Sequence, residues 1–420
     1  MGTFQIPDLE PLLPELVETV VTPIFEEDTN LYMQFLEGEG EDINGRGKRI
    51  TDYISPNESG NFFSEAGAYA MPGKEEFAEM RVYPTRSSFG MEWSGDVLDS
   101  WKTAADVIDG MTDKLKRATS AYKKFLQRFL FGIGDAALGV IATGGVAGAV
   151  ITFSTLAAQG STKGATYIKK RQRVHWYDAA GTQKTTTNAL STVLSKTSSV
   201  VTFDVVPSNP LVATDIAVPE GSFNKAFHGI KHLISNANTM LQGQLRSTYP
   251  QLKSQEIDAA GANITVALLT KTKAAQKFLA ADDASAIMLL SSVAQKNLYE
   301  RQGFNLIRLQ QGEKFTGTLS NKSEVGHLGS DWKDCTDCDE DRIYGMGRRA
   351  IRRYELKKFG FYNYDGQNFV RKGVGGANSD AITGWLGVKT ELGILNPQEC
   401  FVIKALSITD APTAVSSLSY

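Results

Sequence analysis

From Trp93 the apolar positions fall at Val97, Trp101, Ala104, Ile108, Met111, Leu115, Ala118, Tyr122, Phe125 and Phe129, at steps of four and three. That spacing lines one narrow stripe of an α-helix. The pattern predicts a helix over residues 92–131, about 60 Å long at 1.5 Å per residue, stopped by Gly132 and Gly134. Gly110 inside it costs on the order of 1 kcal/mol against Ala and marks where a bend or break would fall. Just before this helix, Gly45 to Gly90 is a stretch of short β-like pieces cut by Pro56, Gly60, Gly67, Pro72, Gly73 and Pro84. Such a stretch cannot bury a core alone. A long rod beside an orphan hairpin points to another copy of the same chain as the missing partner.

Residues 1 to about 44 form an acidic arm with one short helix-like piece, Leu12 to Val21, bounded by prolines. Ala136 to Gly221 is β-rich: RQRVHWYDAAG and SSVVTFDVVP alternate apolar and polar residues, punctuated by Gly181, Pro207, Pro210 and Pro219. From Phe223 to about Asp380 helices (Ala274 to Leu279, Ser285 to Tyr299) mix with strands and loops. Trp385 to Leu406 reads as two strands around the turn Asn396-Pro397, and Ser407 to Tyr420 as a loose tail. No internal repeat is visible.

Between Asp135 and Lys163 there is no charge, and residues 137–159 pass a simple hydropathy test for a membrane span, with Gly144 and Gly148 at G-x-x-x-G spacing. Glycines interrupt the run and Ser and Thr fill its second half. The β-branched pieces on either side of Gly-Gly read better as two buried strands joined by a turn, and a membrane protein inserted through 137–159 is the lesser reading.

At 420 residues the chain has room for two or three domains, and 42% hydrophobic with 22% charged residues is ordinary globular composition. A net charge of -3 excludes a protein of histone type, so any contact with nucleic acid would use a local patch. Three cysteines, Cys335, Cys338 and Cys400, are too few for a disulfide-built secreted scaffold. The first twenty residues lack a secretory leader's basic and apolar regions, and Ile6 stands where a myristoylation site needs Ser or Thr.

Catalysis finds little foothold. Gly132-Ile-Gly134-Asp-Ala-Ala137 matches the dinucleotide fingerprint G-x-G-x-x-A, whose physics needs a strand before it and a helix after it. Here it follows a helix and precedes strands, so it reads as the helix stop. Cys335-Thr-Asp-Cys338 near His327 is a lone C-x-x-C without the second ligand pair of a zinc site. Asp331, Asp334, Asp337, Asp339, Glu340 and Asp341 around it suggest a solvated acidic loop with two reduced thiols, the alternative being a loosely held cation. Among the scattered histidines, His175, His228, His232 and His327, only His228 and His232 share i, i+4 spacing; no H-E-x-x-H accompanies them, so a surface or packed pair is favoured over a metal. There is no G-x-S-x-G elbow and no phosphate-binding Walker loop. No catalytic, cofactor-binding or metal-ligating residue is assigned, and no cofactor is expected.

The long helix is acidic early (Glu92, Asp96, Asp99, Asp106, Asp109, Asp113) and basic late (Lys114, Lys116, Arg117, Lys123, Lys124, Arg128). The helix dipole favours that polarity but fades beyond the terminal turns. A basic strip facing nucleic acid is the other reading, and both stand.

Taken in order, these segments resemble the major capsid proteins of tailed bacteriophages, whose shell fold is shared with herpesvirus floors and encapsulin compartments. The likeness runs from about Gly45 to Leu406. Gly60-Asn-Phe-Phe-Ser-Glu-Ala-Gly67 through Ser87-Ser-Phe-Gly-Met-Glu-Trp-Ser94 looks like that family's extended loop. Trp93 to Phe131 looks like its spine helix, and Gly132 to Asp135 like the turn that follows. Val174-His-Trp-Tyr-Asp-Ala-Ala-Gly181 and Val218 to Ile230 are similar to segments common in phage coat proteins. Glu391-Leu-Gly-Ile-Leu-Asn-Pro397 with Phe401 to Leu406 is similar to the closing strands of the peripheral domain.

The resemblance implies an α+β, tailed-phage capsid fold. Its segments would be an N-terminal arm (1–44), an extended β-hairpin loop (45–91), a spine helix (92–132), a β-rich peripheral or inserted module (133–222), a mixed axial domain (223–380), and a return to the peripheral domain with a tail (381–420). The implied function is that of a capsid subunit, not an enzyme, assembling as pentamers and hexamers in the host cytoplasm around double-stranded DNA. The implied partners are further copies, scaffolding and portal proteins and decoration proteins, and no membrane. An encapsulin-like compartment shell is the first rival and a nucleotide-binding enzyme using Gly132 to Ala137 the second. Some relatives crosslink subunits through a Lys–Asn bond; Lys74 has the position of a donor, but the sequence assigns it no specific Asn partner and the bond is not predicted. Deleting Pro56 to Pro84 is expected to leave a folded, assembly-dead subunit.

Overall fold

The structure is a computed structural model that describes residues 41–43, 45–55, 62, 73, 76–93, 104–142, 149–154, 164–184, 190–197, 199–205, 207, 210–279, 287–309, 330–347, 350–362, 369–370 and 382–408. The helix-like piece at Leu12, Lys74, His327, Gly144 and Gly148, and the tail beyond Thr409 lie outside them. The described part begins with β1 (Glu41–Asp42), β2 (Lys48–Ser55), β3 (Glu76–Val82), β4 (Thr85–Trp93) and α1 (Ala104–Phe129). Six short strands follow: β5 (Gly139–Val140), β6 (Val150–Thr152), β7 (Arg173–Tyr177), β8 (Ser191–Lys196), β9 (Val200–Phe203) and β10 (Ile216–Pro219). Next come α2 (Ile230–Ile234), β11 (Met240–Leu241), β12 (Gln244–Leu245), β13 (Gln255–Asp258), α3 (Val266–Leu279), β14 (Ile287–Ser291), α4 (Val293–Leu309) and β15 (Asp331–Asp334). The chain closes with β16 (Ile343–Gly347), β17 (Ile351–Phe361), β18 (Phe369–Val370), β19 (Ile382–Ile394) and β20 (Phe401–Lys404). The chain is therefore α+β.

α1 supplies the rod that the apolar spacing predicts. Met111, Leu115, Ala118, Tyr122, Leu126 and Phe129 are all buried on one side of it. The helix runs through Gly110 without interruption. The flanking Met111 and Leu115 are held in the core, and that packing outweighs one glycine's propensity deficit of about 1 kcal/mol. The N-terminal boundary differs from expectation. Glu92 and Trp93 end β4, whose last residues pair with Ile382 and Thr383 of β19. Exposure along Phe89 to Trp93 alternates with a period of two, and Met91 and Trp93 are buried as strand residues. Trp93 fits the helical series only because a buried strand end happens to fall four residues before Val97.

β19 is the spine of a five-stranded sheet. β4 lies along Ile382 to Thr390 on one edge, while β17 and then β18 lie along the other, and β1 adds in parallel to β17. Ser87 to Trp93 therefore belongs to this sheet and not to the extended loop. The sheet also takes β17 from the 223–380 stretch. Tyr122 on α1 pins the helix beneath it: its hydroxyl meets Ser87 Oγ and accepts from the Val388 amide at 3.1 Å.

The β-rich stretch closes on itself. The order β5-β10-β7-β8-β9-β6 is antiparallel throughout. β6 then returns to β5 through the Ile141–Phe153 bridge, with Ser154 N donating to Val140 O at 2.7 Å and Ala142 N to Thr152 O at 3.0 Å. Closure removes the free edges of a small sheet. Ile151 and Phe153 are buried inside, as expected of two buried strands, and no described helix is long and apolar enough to cross a membrane. The barrel core gathers Ile141, Ile151, Phe153, Val174, Trp176 and Phe203. On β10, Ala217 faces this core while Ile216 and Val218 face the main one, so one wall serves both.

The third sheet, β13-β20-β16-β14-β15, is mixed and two-sided. Leu290, Tyr344, Met346 and Val402 face the main core, while Leu289, Ile343, Phe401 and Ile403 meet a smaller cluster with Leu269 of α3 and Leu298 of α4. Ile287 to Ser291 is a strand and α4 starts only at Val293, later than the helix expected from Ser285. The apolar run Ile-Met-Leu-Leu, with Leu289 and Leu290 buried, serves a central strand equally well. The Asn396-Pro397 turn joins β19 to β20 as expected, but those two strands lie in different sheets.

Trp176 is the centre of the barrel core, edge-on to Phe203 at 5.1 Å and hydrogen-bonded from Nε1 to Ser191 Oγ at 2.9 Å. Trp176→Ala should lower stability by about 3–5 kcal/mol, read as a shifted urea midpoint of the full chain.

Candidate assembly interface

β2 and β3 pair only with each other among the described residues, in register from Lys48 opposite Val82 to Tyr53 opposite Phe77. A two-stranded ribbon is marginal alone in water. Its root, however, is not orphaned: Ile50, Met80 and Val82 are buried in the main core. Arg81 N donates to Gln242 O at 2.9 Å and Gln244 Nε2 to Glu79 O at 2.6 Å, tying the ribbon to the β11–β12 turn. Phe77 is 51% exposed on the same strand that buries Met80 completely, and Phe62 is fully exposed. The deletion Pro56 to Pro84 would remove Met80 and Val82 from the core, so it cannot leave a folded subunit.

Beneath the root lies a cleft of about 720 Å³ lined by Arg81, Tyr83, His228, His232, Met240 and Glu391, among others. Glu391, buried on β19, accepts from the His228 amide at 2.7 Å and from Thr85 Oγ1 at 3.3 Å, with His228 Nδ1 also 3.3 Å away. It thereby joins the sheet, the strand leaving the ribbon and the approach to α2. Burial pushes the Glu391 carboxyl up, against the pull of His228. Burial works against the His228 imidazolium, but Glu391 prevails and raises it. The neighbouring His232 ring lies 4.2 Å from that of His228. Burial, then the charges of His228 and Arg246, push His232 down to about 3. The i, i+4 histidines are thus brought together ring to ring, His228 exposed and His232 half-buried. Among the described residues no three His, Cys, Asp or Glu side chains converge on a metal position.

The last turn of α1 joins the modules. Ile230 N donates to Leu130 O at 2.7 Å, so the start of α2 caps the end of α1. That approach requires Gly229, where a Cβ would sit 2.4 Å from Leu130 O and 2.5 Å from Phe129 O. Arg128 is buried against Phe125, Phe129 and Tyr167 and donates to Tyr167 O at 3.1 Å; burial brings its guanidinium down to about 10. Lys123 is buried as well, and Lys114 donates to Glu92 O. The late-helix cations therefore do not form one strip: Lys123 and Arg128 are buried, while Lys114, Lys116, Arg117 and Lys124 are exposed.

Two further expectations are corrected. The 335–341 loop is no solvated acidic loop: Cys335, Cys338 and Asp339 are buried. Asp339 pairs with Lys231 at 2.8 Å and accepts from Tyr344 Oη at 3.2 Å, while Asp337 accepts from Gln127 and Tyr167 at 3.0 Å each. Burial pushes the Cys335 thiol up to about 11. These carboxylates are acceptors for buried donors, which composition cannot reveal. The Gly132 to Ala137 fingerprint has no helix behind it and runs into β5; Gly134, at φ +96°, only turns the chain beneath His228. His175 Nδ1 accepts from Gly221 N at 3.2 Å, far along the chain from the other histidines.

No family model matches this sequence, and no curated protein does. Solved structures similar in fold include the cyanophage A-1(L) capsid asymmetric unit, with 12% identity, TM-score 0.48, and 90% of this chain and 93% of that one covered. The holo-SrpI encapsulin complex from Synechococcus elongatus has 7% identity and TM-score 0.46, covering 99% and 94%. The capsid of a native GTA particle has 8% identity and TM-score 0.43, covering 90% and 91%.

Two outcomes follow from this geometry. Gly229→Ala should cost about 1–3 kcal/mol through the forced retreat of α2 from α1, measured by chemical denaturation. His232 binds its proton more weakly folded than unfolded, so its contribution is present above the ordinary histidine pKa and is lost as pH falls toward about 3. His228 and Glu391 titrate in the opposite sense, and theirs is lost as pH rises. His232→Gln should therefore recover on the order of 2 kcal/mol at pH 4 relative to pH 7, measured by urea unfolding at the two pH values.

Proposed function

We propose that the chain is the repeating subunit of an icosahedral shell, the head of a tailed bacteriophage enclosing double-stranded DNA, and that it is not an enzyme. The observation that carries this reading is the β2–β3 ribbon, buried at its root in the main core and half-exposed at Phe77. In this reading the ribbon's strand edges and the exposed face of Phe77 meet another molecule, by added strand pairing and apolar contact. Repetition of such contacts around five- and six-fold positions builds strength from weak interactions. In this reading residues 1–44 are the N-terminal arm, the ribbon within 45–91 is the extended loop, α1 within 92–132 is the spine, and the barrel within 133–222 is the inserted module. The mixed sheet with α3 and α4 is the core of an axial domain placed in 223–380, and 381–420 returns the chain to the sheet of β4. Scaffolding, portal and decoration proteins are the accessory partners, with assembly in the host cytoplasm.

Negative-stain microscopy of the purified chain, expressed alone and with its neighbouring structural genes, is the direct test. Closed shells or rings of five and six are expected; a discrete monomer under both conditions would sink the reading, and shells that fill with protein and never with DNA would favour a compartment. Phe77→Asp should leave the unfolding midpoint within about 0.5 kcal/mol of the parent, as for other exposed sites, while abolishing particles.

A further inference from the structure

The barrel presents a charged surface apart from the β2–β3 ribbon. Lys169, Lys170 and Arg171 follow one another on the turn that leads into β7, all exposed, and Lys196 at the end of β8 lies beside them. The turn is tied down on several sides. Gln172 N donates to Lys169 O at 3.1 Å, Lys169 N donates to Gln172 Oε1 at 2.9 Å, and Arg171 N donates to Val193 O at 2.8 Å. Lys196 Nζ reaches back to the carbonyls of Ala165 and Thr166, each at 3.3 Å. Arg171 is held at φ +65°, in the left-handed region that a non-glycine residue occupies at a cost of about 1–2 kcal/mol. The fold thus fixes three consecutive cations where a glycine would sit with less strain.

These charges are not neutralised within the described residues. Arg173 pairs with Glu220 at 3.3 Å and Lys184 with Asp215 at 2.9 Å, but no described carboxylate forms an ion pair with Lys169, Lys170, Arg171 or Lys196. Burial, and then the charge of Lys169, lowers Lys196 from the ordinary lysine value, a repulsion that an external anion would relieve. Residues 155–163, leading into the turn, add Lys163 and no Asp or Glu. A fixed cluster of cations that forms no ion pair among the described residues matches a repeating anionic backbone.

We propose that this turn of the barrel, with Lys169, Lys170, Arg171 and Lys196, binds the phosphate backbone of double-stranded DNA without reading its sequence. The proposal rests on the shell reading and assigns the DNA-facing surface to the barrel, not to α1. The rival polyanion is internal: residues 1–44 hold eleven carboxylates and no Lys or Arg. DNA is favoured because duplex phosphates recur at fixed spacing, which suits cations held on a hydrogen-bonded turn.

The test is fluorescence anisotropy of a short labelled DNA duplex with the full chain as unassembled subunits, between about 50 and 200 mM salt. Four phosphate contacts predict a slope of about −3.6 in log affinity against log salt. The variant Lys169→Ala/Lys170→Ala/Arg171→Gly/Lys196→Gln should lose at least about tenfold in affinity at the low-salt end and most of that slope. Arg171→Gly alone should weaken binding while raising the unfolding midpoint, which separates loss of a contact from loss of the fold. Unchanged binding in these variants would overturn the assignment, as would loss of binding in Lys116→Ala/Lys124→Ala on α1. Binding that appears only after removal of residues 1–44 would give the turn to the acidic arm instead. Shell formation by the variants, read by microscopy, reports separately on the subunit reading.

Discussion

The last turn of α1 is the constraint on which the architecture depends. A helix end leaves carbonyl groups that must find donors, and here they are not left to water. Leu130 O takes the amide of Ile230, so α2 is built against the end of α1 at a separation that only Gly229 permits. One turn earlier, Arg128 reaches the barrel at Tyr167 O and Gln127 reaches Asp337 in the loop between β15 and β16. Three parts of the chain that are distant in sequence are therefore registered on four consecutive residues. Because these groups are buried, each unmade bond would cost the full desolvation of its donor or acceptor, and the modules lock together or not at all.

The same economy of donors explains why the acidic residues around the two cysteines mislead a reading by composition. Asp337 and Asp339 lie in a run that looks solvated, yet each accepts from groups elsewhere in the fold: the Gln127 amide and Tyr167 hydroxyl for Asp337, the Lys231 ammonium and Tyr344 hydroxyl for Asp339. An isolated buried carboxylate would be expensive, whereas a paired one fixes relative positions. Cys335 and Cys338 then pack as small apolar groups, and burial raises the Cys335 thiol well away from reactivity.

What the sequence discloses follows from the range of the interactions involved. The stripe on α1 is local, repeated every three or four residues, and its buried face came through at Met111, Leu115, Tyr122 and Phe129. The strands flanking Gly144 were legible because β-branched residues and glycines bound them. The start of α1 was not, because Trp93 owes its burial to β19, nearly three hundred residues away, and no local pattern encodes that pairing. Barrel closure through Ile141 and Phe153 is likewise a long-range event. The cation cluster at Lys169 to Arg171 is written plainly in the chain, but that no described carboxylate pairs with it is a property of the fold alone.

The ribbon shows how one strand can serve both the subunit and its assembly. Along β3, Val82 and Met80 are sealed into the main core while Phe77 stands largely in solvent. Three residues of strand advance about 10 Å, so the ribbon leaves the body within that distance. The buried root fixes its direction, through Arg81 N on Gln242 O and Gln244 on Glu79 O. Glu391 holds the strand that leaves it, through Thr85. A projection anchored in this way loses less conformational entropy on docking than a free loop of equal length. Apolar side chains and strand edges beyond the anchor are then not a defect of the monomer. On the proposed shell reading they are surface that a neighbouring subunit covers.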